Sequence, residues 1–358
     1  MVESHLIVQP AGNLMPGRRV RLYGLLGLGV LLVLIIALAA SIGSVAIPLT
    51  TTFSILADKL PFVDISPTWT NAMATVILEI RLPRVILAGL VGIALAIAGA
   101  TYQGLFRNPL ADPYLIGVAQ GASLGAIIGF LLPAAWQVPG FGLIPLLAFT
   151  GALLSTATVY LLARVGKTLP VTTLILAGVA LGALLGSVVS YLIISSGDKM
   201  HGIIFWLMGS FSLSQWSEVR IVLPYVAVGT AVILIFARII NVMQLDEEQA
   251  QQLGVNVERI KLILLAAATL ITAASVSFVG TIGFVGIIIP HAVRLIWGAD
   301  YRFLLPLSVL TGAIFMILTD LLARTVLSPA EIPIGVITAI CGAPFFLYLL
   351  RRRKKAIF

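Results

Sequence analysis

Residues able to do chemistry are few in this chain, and their spacing is poor for it. Gly166-Lys167-Thr168 reads like the end of a phosphate-binding loop, in which backbone amides and the lysine would hold a nucleotide. That motif needs its first glycine at position 161, where Leu161 stands, so the segment reads as the end of an apolar run. His5, His201 and His291 could ligate a metal, but they lie far apart and none has a second ligand at metal spacing. The lone Cys341 permits no internal disulfide and reads as a small core residue. Asp320 is the exceptional carboxylate inside an apolar run, where such groups mark proton or ion routes. Arg324 follows it by four residues on the same helix face, so a local ion pair is the simpler account. No nucleophile, acid pair or metal cluster lies within the apolar runs, which speaks against a membrane-embedded enzyme. No cofactor or metal is expected. An ion-coupled carrier or an exporter would need a buried carboxylate relay or a broken-helix cation site, and neither is written here.

One polar island remains, from Gln244 to Lys261. Asp246 is placed to cap a short helix with Glu247 and Glu248 in its first turn, Gln249 completes a capping-box spacing, and Gly254 supplies the stop. Ala250 and Leu253, three apart, would share a face and form a small apolar knob framed by Glu and Gln. Such a knob is a handle for a soluble partner rather than a solvated loop.

The elements that must carry this island are membrane spans. Hydrophobic residues make up 60% of the 358 positions and charged residues only 10%, a composition foreign to soluble domains. About 20 apolar residues cross a bilayer. Ten runs qualify, near 22–47, 82–104, 114–133, 141–163, 170–195, 219–240, 261–280, 282–297, 303–327 and 332–350, the shortest, 282–297, also reading as a half-helix. The expected class is therefore all-α and polytopic. A tail covers 1–21, one membrane domain covers 22–350 with the polar loop at 242–260, and a basic tail covers 351–358. The basic start followed by an apolar run is read as a retained first span, since the run exceeds a signal peptide's core. With both termini cytoplasmic, sixteen of the twenty-two Lys and Arg fall inside. Six fall outside: Lys59, Arg81, Arg84, Lys199, Arg220 and Arg324. The net charge of +8 then follows from topology, with no nucleic-acid partner.

Glycines recur every four residues at 117, 121, 125 and 129, and again at 178, 182 and 186. Ridges of this kind let helix backbones approach closely in lipid. Trp69, Trp136, Trp206 and Trp216 fall near outer span ends and Trp297 near an inner one, as interfacial anchors do.

The run GATYQGLFRNPLADPYLIGVAQGA at 99–122 resembles the signature of FecCD-type permeases of ATP-driven importers, a family that includes cobalamin, heme and ferric-siderophore permeases. RLPR at 81–84, LAGVALG at 176–182, WLMGS at 206–210, GFVGIIIPH at 283–291 and EIPIGVIT at 331–338 keep the same register, from about residue 20 to 350. The resemblance implies a homodimer of ten-span subunits in the cell membrane, two cytoplasmic ATPase subunits beneath it and an extracytoplasmic binding protein above. It makes the island the ATPase coupling loop, with Asp246, Glu247, Glu248, Ala250, Leu253 and Gly254 as its contact residues. It makes Arg81, Arg84 and Arg324 the docking arginines for acidic residues of the binding protein. Ser195, Ser196 and Gly197 align with a gate region, although the loop is about one residue shorter here. Residues 198–211 resemble the short helix that shapes the family's translocation path.

Overall fold

A computed structural model of the chain describes residues 17–43, 45–59, 63, 65–133 and 142–354. His5, Trp136 and the ends of both tails lie outside the described residues. Among the described residues all regular structure is helical apart from a single bridge between Val165 and Thr168.

Helix α1 (Arg18–Ser41) is followed by two short helices, α2 (Leu49–Asp58) and α3 (Asn71–Thr75). A π-helical turn from Val76 to Arg81 then leads into α4 (Leu82–Leu105). The helix is continuous from Asn71 to Leu105, and Pro83 has no amide to give to the π-helical turn before it, where the Leu78 carbonyl accepts instead from the Trp216 indole at 2.9 Å. Nearly every α4 side chain from Leu87 to Leu105 is buried, so α4 is the axis of the bundle. It is packed by α9 (Trp216–Ile235), α12 (Val257–Val279), α13 (Val285–Trp297) and α14 (Tyr301–Thr325). Small residues allow this: a Cβ at Gly92 would overlap the Gly312 carbonyl of α14, and one at Gly99 would overlap Gly286 of α13.

Beside that axis, α5 (Val118–Leu131) and α6 (Leu143–Ala163) form a close pair in which Gly121 abuts Gly151 and Gly125 abuts the Leu147 backbone. The first glycine ridge is thus a packing surface. The second is used at one end only, since Gly178 of α7 (Val171–Ser195) meets the Leu115 carbonyl while Gly186 faces open space. The remaining helices are α8 (Met200–Leu207), α10 (Ala237–Val242), α11 (Glu247–Gln252) and α15 (Ile334–Lys354).

Seven described helices are long and apolar enough to cross a membrane, and three shorter apolar ones stand at Val118–Leu131, Val285–Trp297 and Ile334–Leu347. The short run anticipated at 282–297 is indeed brief. Its α13 has 13 residues, about 20 Å of helix against a hydrocarbon core of about 30 Å. A non-helical link from Gly280 to Phe284, where Phe284 sits at φ +70°, turns the chain into it. Two further expectations are corrected. Helix α1 begins at Arg18, so the basic cluster stands in its first turn rather than in a tail, and Arg21 is buried against Asp300 at 3.5 Å. Cys341 is exposed on α15, not part of the core.

Candidate functional site

The polar features collect at the two ends of α4, which its 24 residues set about 36 Å apart. At the N-terminal end the three singled-out arginines come together. Arg81 is buried, and its guanidinium donates to the carbonyls of Ala40 (3.0 Å), Ser41 (2.7 Å) and Val45. Arg324 donates to the Ala39 carbonyl. The Ala39, Ala40 and Ser41 carbonyls belong to the last turn of α1, the end of a helix at which a cation is favoured, and Val45 lies in the loop that follows. Gly43 makes room, since a Cβ there would collide with the Arg81 guanidinium.

Arg84 is held from two sides. Its Nη2 lies 2.8 Å from the carboxylate of Asp320 on α14, and its Nη1 lies 2.7 Å from Glu331 in the loop before α15. Arg324 adds a looser contact to Asp320 at 3.5 Å, so the pair anticipated on α14 exists but is subordinate to Arg84. All three guanidiniums are engaged within the chain, with side chains of Arg84 and Arg324 only 12% and 8% exposed.

Glu331 is the residue that sequence reasoning passed over, although it stands in a quoted motif. Desolvation would raise its pKa, but hydrogen bonds from Arg84 and Ser212 and the charge of Arg84 outweigh that and hold it below the usual carboxylate value. The Ser212 hydroxyl donates to it at 2.6 Å. Two further bonds continue inward, from the Ile334 amide to the Gly209 carbonyl and from the Gly335 amide to the Met208 carbonyl. The end of α8 is therefore tied to the start of α15 and, through Glu331, to Arg84. A single unpaired charge in a polar loop carries no period, so no sequence signal announced this link.

Ser195 ends α7, Ser196 is buried with its hydroxyl on the Ile193 carbonyl at 2.6 Å, and Gly197 adopts φ +57°. These three form a helix terminus and turn. Lys199 reaches from there to the Phe130 carbonyl at the end of α5.

The polar island lies at the other end of α4. Helix α11 forms where expected and Gly254 ends it at φ +83°. The expected cap is corrected: Asp246 makes no side-chain bond to the helix, because Arg107 draws its carboxylate away at 3.1 Å. The apolar knob is corrected too. Ala250 is fully buried while Leu253 is 65% exposed, so the two face opposite environments and Leu253 alone is presented with Glu248, Gln251 and Gln252.

Three anchors hold the island. Gln244 donates to the Gly104 carbonyl of α4 (3.1 Å), Arg107 bonds both Leu245 and Asp246, and the buried Lys261 bridges Glu247 (2.9 Å) and Glu258 (3.1 Å). A second tie joins α1, α10 and α14 through Asp300, whose pKa is pulled down to about 2 by the Arg302 hydrogen bond, against desolvation and with help from Asn241. Among the described residues no group of three His, Cys, Asp or Glu could hold a metal ion.

Comparison with known proteins agrees with this arrangement. Residues 31–352 match the model of the FecCD transport family. The cobalamin import system permease protein of Halobacterium salinarum is 50% identical over 275 residues, covering 77% of this chain and 73% of that protein. The hemin transport system permease protein of Yersinia pestis is 39% identical over 342 residues, covering 92% and 96%. A solved structure described as a metal-chelate type ABC transporter in an inward-facing conformation superimposes with a TM-score of 0.79 at 33% identity, covering 92% and 98%. With a matching family model along most of its length and relatives of this similarity, the chain belongs to the FecCD transport family.

Proposed function

We propose that the chain is the membrane-spanning permease of an ATP-driven importer that passes a bulky metal chelate, such as cobalamin, heme or a ferric siderophore, into the cytoplasm. The observation that carries this is α11: a short polar helix fastened to α4 and α12 by Gln244, Arg107 and Lys261, yet presenting Leu253 and its neighbours outward. A helix rigidly joined to the bundle and offered to solvent transmits a push from a soluble motor, and hydrolysis in that motor leaves the permease without need of a catalytic group. In this reading two copies form a closed two-fold pore of ten spans each, with both termini inside. Two ATPase subunits grip residues Asp246 to Gly254, and a binding protein delivers cargo at Arg81, Arg84 and Arg324. Ser195, Ser196 and Gly197 narrow the path beside α8.

Docking then requires the partner's carboxylates to share arginines that Asp320, Glu331 and the end of α1 already hold. The family relatives named for cobalamin and hemin support a metal chelate as cargo class.

Vesicles holding this chain, its ATPase and its binding protein, offered labelled cobalamin, heme and ferric siderophores with and without ATP, test the proposal. ATP-dependent accumulation of one cargo, insensitive to a protonophore, is expected. Uptake that persists without ATP and collapses with the ion gradient would establish the competing ion-coupled carrier.

A further inference from the structure

A crevice of about 210 Å³ opens on the face of the bundle that carries α11. Tyr160 and Arg164 at the end of α6, Lys167 to Leu169 in the following turn, and Glu258, Arg259 and Leu262 at the start of α12 enclose it. The turn is stiff. Val165 and Thr168 exchange both backbone hydrogen bonds, and the Arg164 Nε donates to the Gly166 carbonyl. It is also fastened to α12, because the Leu169 amide donates to Glu258 and the buried Lys261 reaches the Leu169 carbonyl.

The charge balance decides what fits. Glu258 is the one acid in the lining, and its two oxygens are taken by the Leu169 amide and by Lys261. Among the described residues Arg164, Lys167 and Arg259 pair with no carboxylate, so the crevice carries an uncompensated positive rim. The first turn of α12 adds the positive end of a 23-residue helix. Immediately beside the cations the surface turns apolar. Leu161 is 68% exposed one turn before Arg164, Val165 is 58% exposed next to it, and Leu262 is 43% exposed in the crevice itself. A soluble anion would gain nothing from those leucines, whereas a phosphate with acyl chains attached satisfies both surfaces.

We propose that this crevice is a binding site for the headgroup of an anionic phospholipid. Arg164, Lys167 and Arg259 hold the phosphate region, Tyr160 and Thr168 serve the glycerol level, and the chains lie along Leu161 and Leu262. The Gly166-Lys167-Thr168 segment thus meets a phosphate without forming a nucleotide loop. Because Lys261 joins the crevice wall to Glu247 of α11, the bound lipid steadies the base of that helix. The assignment requires only that the chain be embedded in a membrane and does not rest on the importer reading.

The test is native mass spectrometry of the full-length chain released from nanodiscs of phosphatidylcholine and phosphatidylglycerol in equal parts. Wild type is expected to retain phosphatidylglycerol selectively. Arg164→Ala/Lys167→Ala/Arg259→Ala should weaken that retention on the order of 100-fold, from roughly 1 kcal/mol per basic residue near the surface. Arg164→Lys/Arg259→Lys should keep it, and so should Arg220→Ala, with melting temperatures confirming that each variant is folded. Inorganic phosphate and glycerophosphoglycerol, which lack acyl chains, should fail to displace the lipid. Equal retention by the triple alanine variant overturns the proposal. So does displacement by inorganic phosphate, which would make the site one for soluble anions. Loss of a co-purifying soluble subunit with lipid retention unchanged would make the rim a protein contact instead.

Discussion

Asp320 is the residue on which the arginine cluster balances. Its carboxylate is 1% exposed and faces Arg84 and Arg324 together, so Asp320→Asn leaves Arg84 with Glu331 as its remaining carboxylate and takes from Arg324 the carboxylate it pairs with. Removing one partner from such a group costs about 3–5 kcal/mol, and the variant should lose several degrees of melting temperature in detergent. Glu331 behaves differently because it is 30% exposed and bound in a loop. Its pKa is lowered on folding, so its contribution is complete above the ordinary value near 4.5 and fades as pH falls through the folded value. Amide exchange in the 326–333 loop should therefore stay slow from neutral pH down to below 4.5 and rise only in stronger acid, whereas Glu331→Gln should show fast exchange already at pH 7. The same substitution frees Nη1 of Arg84, while Nη2 stays on Asp320. If a binding protein docks there, its salt-sensitive capture should strengthen in Glu331→Gln and weaken in Arg84→Gln.

At the scale of elements, α4 joins the two polar ends and α11 is the part offered outward. Gly92 lets α4 lie against α14 with backbone touching backbone. Gly92→Val should force that pair apart and cost upward of about 3 kcal/mol, seen as lost expression or a lowered melting temperature. Gly186→Ala, which meets nothing within 4 Å, should be silent and serves as the control. Leu253→Asp tests α11. Because Leu253 is 65% exposed, stability should hold while stimulation of the proposed ATPase partner disappears. A parallel fall in both would place Leu253 in the fold rather than at a docking surface.

For the whole molecule, α7 presents an apolar face that the single chain leaves uncovered. Leu176, Val179, Leu184, Tyr191 and Ile194 are all more than half exposed along its 25 residues. Lipid covers such a face in a monomer, and a second copy covers it in the proposed dimer. In a Cys341→Ser background, cysteines at 184 and 191 should cross-link into dimers, while a cysteine at Leu161 of α6 should not.

The all-helical membrane class, the polar island and the brevity of the 282–297 segment were legible in the sequence by itself. Apolar run length, a charge-dense interruption and punctuating glycines are local properties, set by a bilayer's thickness and a backbone's conformational limits rather than by distant neighbours. The glycine ridge at 117–129 was legible as a close-approach surface for the same reason. What only the tertiary structure decided was how charges are spent. Arg81 completes the end of α1, Arg84 is divided between Asp320 and Glu331, Arg107 takes Asp246 from its cap, and Lys261 anchors α11. Those partners lie up to 247 positions apart. A Coulomb contact depends on where helices cross and how far water is excluded, and neither quantity leaves a period in the chain.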